Sequence, residues 1–428
     1  MTVHPALGGD TGIRIVQTAS RLLYCNWLQS VVMVKDWFDF EEPARRPWAG
    51  GTLRWLTLLL TLVAACGSDD GTSAPAYPRD AELRLNHMQV LGSHNSYHIQ
   101  AREPLFSWIK RFNLELATSL EYTHPPLDEQ LEERSIRQFE LDVFADPHGG
   151  LYANRSGLYF VRQDTASHIP QLDQPGFKVL HVQDLDFEST CWTFVECLQT
   201  IKTWSDTHPG HMPIMILVEA KDEYIFIRDS AVPIPIGAAE LDALDAEIRS
   251  VFPPRQIITP DEVRRGKPTL EEAVRSEGWP TLGESRGRVL FALDNEGGVR
   301  DAYLAGHPAL AGRILFTSAR PGNADAGFIK LNDPIGDFDL IQQVVADGFI
   351  VRTRSDADTV QARTGDTHMR DAALASGAQW VSTDYPVANR AFGTGYSVQI
   401  PGGMPARCNP INAPPSCTPL DIENPDHL

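Results

Sequence analysis

The sequence predicts an α/β fold: a single TIM-type (β/α)8 barrel over residues 81–392, with an N-terminal export signal and a disulfide-capped C-terminal tail. Three observations predict the barrel. Short apolar runs alternate with amphipathic helical stretches, the pattern of a parallel sheet, open or closed. The runs show no strict apolar–polar alternation, so both faces of the strands are covered. From residue 87 to about 385 there is no interior linker, and that length suits one closed barrel of eight units.

Nine strand candidates occur in order: HMQVLG (87–92), IRQFELDVF (136–144), KVLHVQD (178–184), PIMILVEAK (213–221), RVLFALD (288–294), RILFTSA (313–319), FIKLN (328–332), FIVRTRS (349–355) and QWVSTD (379–384). That is one more than eight, and RILFTSA or FIKLN is expected to be the accessory strand. Between them, 127–135, 193–209, 238–252 and 366–377 carry apolar residues at helical spacing; the second ends in Pro-Gly and the last in Gly377. The tail 393–428 is rich in Gly and Pro and reads as a loop cap.

The N-terminal 66 residues stand apart. Arg45 and Arg46 precede an apolar run, Leu56 to Ala65, that is too short to span a bilayer and suits the core of an export signal. VAAC (63–66) matches the lipobox of bacterial lipoproteins, which points to lipid attachment at Cys66. Residues 67–80 are then a polar linker tethering the domain to a membrane surface. A signal near residue 45 is out of place behind 44 residues, so Met33 or the Val beside it is the candidate start and 1–32 an over-long reading of the gene. The expected location is exported, either anchored in the cell envelope or secreted.

Six Cys are present. Cys25 lies in the doubtful extension and Cys66 in the lipobox. Cys191 and Cys197 are six apart, and Cys408 and Cys417 nine apart. Such local pairs suit an oxidising compartment, and two disulfides are expected, 191–197 and 408–417. Neither pair is CxxC, which argues against a zinc knuckle. The net charge of −19 at pH 7 argues against nucleic acid and against adhesion to anionic membranes through charge alone. No protein partner is implied.

Polar residues recur at the C-terminal ends of the strands. His94-Asn95 ends the first. Glu140 and Asp142 alternate in FELDV and share a face. His181 lies in VLHVQD, Glu219 and Lys221 are two apart in LVEAKD, and Asp384 ends the last strand. In a barrel these converge on one mouth, where barrel enzymes place their sites. Each has a plainer reading alone: an edge-strand surface, a structural ion pair, a satisfied core His, a turn cap. The joint pattern outweighs them. Asn95, Glu140, Asp142 and Glu219 offer only oxygens, and carboxylates this close call for a hard cation, Ca²⁺ or Mg²⁺ rather than zinc. Two His remain for proton transfer, and Lys221 adds positive charge, a set that suits a phosphodiester. His94 and His98 at i, i+4 would suit zinc only on a helix. His148, His168, His208 and His211 read as solvated loop residues.

LGSHNSYH, RQFELDVFADPHGG, GFKVLHVQDLDFESTCWTF, PIMILVEAKD, IKLNDP, FIVRTRSDADTVQARTGD and QWVSTDYP together resemble the barrel phosphodiesterases, and most nearly the bacterial calcium-dependent phosphoinositide phospholipase C family, over roughly residues 85–390. The resemblance implies catalytic His94 and His181, and a Ca²⁺ held by Asn95, Glu140, Asp142 and Glu219. It also implies a phosphate contact from Lys221, an orienting acid in Asp384, and a phospholipid substrate at a membrane surface. His94 would be base or transition-state donor and His181 acid to the leaving oxygen. Glycerophosphodiesterases share ExD and the second His but carry His-Arg-Gly at strand one; His-Asn-Ser here favours the phospholipase branch. The 38 residues between Asp142 and His181 exceed many relatives and bear on which headgroup fits. A glycerophosphodiesterase, another phospholipid phosphodiesterase, and a non-catalytic inositol-lipid binding lipoprotein are the alternatives.

Overall fold

The computed structural model describes residues 76–428. The export signal, Cys25 and Cys66 lie outside these residues. Among the described residues no helix is long and apolar enough to cross a membrane.

Eight parallel strands form the ring: β1 (Met88–Ser93), β2 (Ile136–Phe144), β4 (Ile214–Lys221), β5 (Val289–Leu293), β6 (Leu315–Thr317), β7 (Phe328–Lys330), β8 (Ile350–Arg354) and β9 (Trp380–Thr383). β1 pairs with both β2 and β9, and the ring closes where Ser318, just past β6, bridges Phe328 of β7. The strands are buried on both faces, as every residue of β2 and β5 shows. Helices cover the outside. Phe194–Thr207 starts with a capping box, in which Thr193 accepts from the Glu196 N–H and Glu196 returns a bond to the Thr193 N–H. It buries Phe194, Leu198 and Ile201 at one-face spacing. The Cys191–Cys197 disulfide, with Cα atoms 5.4 Å apart, fastens its first turn.

The surplus strand is a different one from those expected. RILFTSA and FIKLN both supply ring strands, β6 and β7. The accessory piece is KVLHVQD, of which only β3 (Lys178–Val179) pairs, antiparallel to the end of β2. The chain turns away at Leu180, so His181 stands on a loop and not on a barrel strand. His211 corrects its reading as a solvated residue: it is fully buried, with Nε2 2.7 Å from Ser205 Oγ and Nδ1 on the Met212 carbonyl.

The tail is more than a loop. β10 (Ala406–Cys408) pairs antiparallel with the start of β1, and the Cys408–Cys417 disulfide, Cα atoms 6.0 Å apart, anchors the remainder of the tail. Glu423 is fully buried against Arg137 of β2, whose Nε donates to both its oxygens at 3.0 Å. The Met212 N–H also donates to Glu423, at 3.0 Å. Removing one member of a buried pair leaves the other charge uncompensated, so Glu423→Ala is expected to cost about 3–5 kcal/mol in denaturant unfolding. A loss under about 1 kcal/mol would show the tail to be dispensable.

Candidate active site

The acids come from neighbouring strands. β2 and β4 pair in register with Asp142 beside Glu219 and Phe144 beside Lys221. Lys221 Nζ donates to Asp142 Oδ2 at 3.0 Å and lies 3.7 Å from Glu219 Oε2. The other oxygen of Asp142, Oδ1, is buried with no hydrogen-bond donor. Glu140 accepts from Arg352 through Oε2. Burial pushes Glu140 up to about 7 against the opposing pull of Arg352, and pushes Asp142 up against that of Lys221.

The turn after β1 brings His94 and Asn95 beside these acids. Gly92 is required there, because a Cβ would lie 1.8 Å from Gln138 Oε1 of β2. Ser93 donates to Ser96 at 2.7 Å, and Ser96 Oγ accepts the Glu140 N–H at 2.8 Å, tying the turn to β2. Asn95 takes the left-handed conformation, φ 42°, which Asn tolerates. Its Nδ2 donates to Tyr122 at 3.0 Å, so its oxygen is the atom left for a ligand.

His94 sits between two carboxylates. Nδ1 is 2.9 Å from Asp384 Oδ1, just past β9, and Nε2 is 3.9 Å from Glu140 Oε1. Arg354 of β8 lies 3.3 Å from the other Asp384 oxygen, and His124 Nε2 donates to the His94 carbonyl at 2.9 Å. Burial and then Arg354 push His94 down to about 3, so the ring is neutral at neutral pH. Burial alone would raise Asp384, but His94, His124 and Arg354 outweigh it and hold the carboxyl below its ordinary value.

His181 meets Asp186 in the loop after β3, Nδ1 to Oδ2 at 2.7 Å. Burial and Lys221 lower His181. His94, Asn95, His181, Asp186, Arg354 and Asp384 all line one cavity of about 650 Å³. Its apolar walls include Ile109, Leu116, Val182 and Leu185, part of a second hydrophobic cluster standing over the barrel mouth.

The model of the family described as phosphoinositide phospholipase C, Ca²⁺-dependent, matches residues 83–410. The chain belongs to that family. As a member of this phospholipase C family it is a phosphodiesterase. Its structure is similar to a calcium-dependent phosphoinositol-specific phospholipase C from a Gram-negative bacterium, Pseudomonas sp, at 17% identity over 79% of this chain and 100% of that one, with a TM-score of 0.46. It is also similar to a Ca²⁺-dependent phosphatidylinositol-specific phospholipase C from Streptomyces antibioticus, at 18% identity, 71% and 95% coverage and a TM-score of 0.45. A glycerophosphoryl diester phosphodiesterase from Parabacteroides distasonis matches at 10% identity, 70% and 84% coverage and a TM-score of 0.28. No curated protein matches the chain by sequence.

The residues at the mouth of this phospholipase C fold fit a calcium ion. The donor set is oxygen only, Asp142 Oδ1 is buried without a partner, and burial disfavours the charge of both Glu140 and Asp142. The residues singled out in the sequence gather at one end of the barrel. His94, Asn95, His181 and Asp384 face the cavity; Glu140 adjoins through His94; Asp142, Glu219 and Lys221 adjoin on β2 and β4. Lys221 is first of all the partner of Asp142. Sequence reasoning weighed His98 only as a zinc ligand and set it aside, and it missed Asp186, Tyr122, Arg352 and Arg354. Only the last two carried a signal: they alternate in FIVRTRS, which puts both on one face as in FELDV.

Proposed function

We propose that the chain cleaves phosphatidylinositol to diacylglycerol and a cyclic inositol phosphate, with Ca²⁺ and with His94 and His181 moving the protons. The observation that carries this reading is a cavity with two imidazoles, each on its own buried carboxylate, beside an acid set with an unpartnered oxygen. Asn95, Glu140, Asp142 and Glu219 would hold the ion. Bound there, it supplies charge neutralisation for the phosphate and lowers the pKa of an inositol hydroxyl.

The chain's own residues do the rest. Asp384 accepts from His94 Nδ1, which leaves Nε2 as the lone pair able to take the proton of the inositol 2-hydroxyl. That hydroxyl attacks the adjacent phosphorus within the substrate, an arrangement for which effective molarities reach about 10⁵ M or more. His181 gives its proton to the departing glycerol oxygen. Arg354 and Lys221 put positive charge at the rim. The export signal and Cys66 would hold the site at a membrane surface.

The test uses the protein from residue 67 onward, made in an oxidising compartment and offered phosphatidylinositol, glycerophosphoinositol and glycerophosphocholine. Turnover of phosphatidylinositol is expected, lost to chelator and restored by Ca²⁺ better than by Mg²⁺. Turnover of the water-soluble diesters alone would make it a glycerophosphodiesterase, and binding without turnover a lipid-binding protein.

A further inference from the structure

Two histidines share one buried carboxylate in the cavity wall. Asp186 is 1% exposed. Its Oδ2 lies 2.7 Å from His181 Nδ1 and 2.9 Å from His98 Nε2, and its Oδ1 3.0 Å from the same His98 nitrogen. Asp186 reaches His181 because the chain reverses between them: the Val182 N–H donates to the Asp186 carbonyl at 2.9 Å and the Asp186 N–H returns a bond at 3.0 Å. The tip of this clip is fastened as well. Asp184 is in the left-handed region, φ 69°, and accepts from the Ser156 N–H at 2.7 Å, Ser230 Oγ at 2.8 Å and the Ala231 N–H at 3.0 Å. The clip is therefore braced by the long segment between β2 and β3 and by the segment after β4.

His98 carries the tie across the mouth. It is fully buried, stacks on Tyr122 with ring centroids 4.3 Å apart, and donates its backbone N–H to the Asn95 carbonyl at 2.8 Å. Tyr122 in turn accepts from Asn95 Nδ2. One carboxylate thus joins the His181 loop to the turn that carries His94 and Asn95.

We propose that Asp186 is a positioning residue: it fixes His181 as the Nδ1–H tautomer with Nε2 turned to the cavity, and through His98 it holds that ring in place against the His94–Asn95 turn. The catalytic consequence rests on the acid role of His181 given above. A carboxylate on Nδ1 selects the tautomer, restrains the ring and favours the imidazolium that an acid must be. Burial would raise Asp186, but the two imidazoles outweigh it and keep the carboxyl ionised. The ligand atoms of His98, His181 and Asp186 lie within 4.8 Å of one another, close enough for a metal ion. A ligating His passes its other ring nitrogen to a partner, and His98 Nδ1 is buried with none, which favours the positioning role.

The test compares wild type with Asp186→Asn and Asp186→Glu in the full protein, by steady-state kinetics, melting temperature and long-range ¹H–¹⁵N spectra of the imidazoles. Asp186→Asn is expected to lower kcat about 10²-fold with KM held within about threefold, and Asp186→Glu to recover part of the loss. In wild type His181 Nδ1 keeps its proton on Asp186 throughout the ring's titration while Nε2 alone gains and loses one, and Asp186→Asn scrambles that pattern. A variant with near-normal kcat would overturn the proposal, as would kcat, KM and melting temperature falling together, or a neutral wild-type His181 with its proton on Nε2 and Nδ1 bare. The spectra need no substrate, so they decide the tautomer even where no phosphodiester is turned over.

Discussion

With His94 replaced by Ala, turnover of phosphatidylinositol falls by at least about 10²-fold while KM changes little, because a positioned acid or base is worth about 10²–10⁴ in rate. The geometry sets the sign. His94 is neutral, its Nδ1 is held on Asp384, and its Nε2 faces the acid set 3.9 Å away, so the side chain is placed to accept a proton and contributes little to holding lipid. His181→Ala is expected to fall as far. The double variant should fall by less than the product of the two, since groups that act in one transition state are not independent. A His94→Ala enzyme retaining more than about a tenth of wild-type kcat would remove that residue from the proton transfer.

Asp142→Asn is expected to abolish the calcium response. In wild type, Ca²⁺ at about a hundred times its dissociation constant should stabilise the fold by about 2.7 kcal/mol, visible as a rise in melting temperature. Asp142 supplies the one oxygen in the set that is buried without a donor, and its neighbour Lys221 cannot substitute for it as a ligand. The variant should show no calcium-dependent rise, and activity at least about 10²-fold lower at any calcium concentration, the scale of losing a group that acts in the transition state. An Asp142→Asn protein that still gained stability from Ca²⁺ would move the ion elsewhere.

The features legible in the chain are the local ones. FELDV alternates, so Glu140 and Asp142 had to share a face; LVEAKD did the same for Glu219 and Lys221, and the register of β2 on β4 brings the pairs together. The end of a barrel strand is a fixed place, which made His94, Asn95 and Asp384 legible. KVLHVQD reads as a strand by composition, yet only two of its residues join the sheet, because no ring position is left for it. Asp186 was invisible because its function depends on a chain reversal five residues long and on His98, 88 residues away. His211 misled because a His between Pro-Gly and Met carries no mark of the Ser205 hydroxyl that receives it in the interior.

The closure of the ring between β6 and β7 has a consequence for how the molecule breathes. Every other adjacent pair of ring strands shares a ladder of two or more partnered residues, whereas this one has the single bridge from Ser318 to Phe328, with one backbone bond of 3.1 Å beside it. The fewest hydrogen bonds must break there for the cylinder to open along its length. Deuterium should enter the amides of Ala319 sooner than those in the middle of β2 or β4, so the molecule has a seam on the side of the barrel away from β1 and β2, and thermal opening would begin there before it reaches the acids.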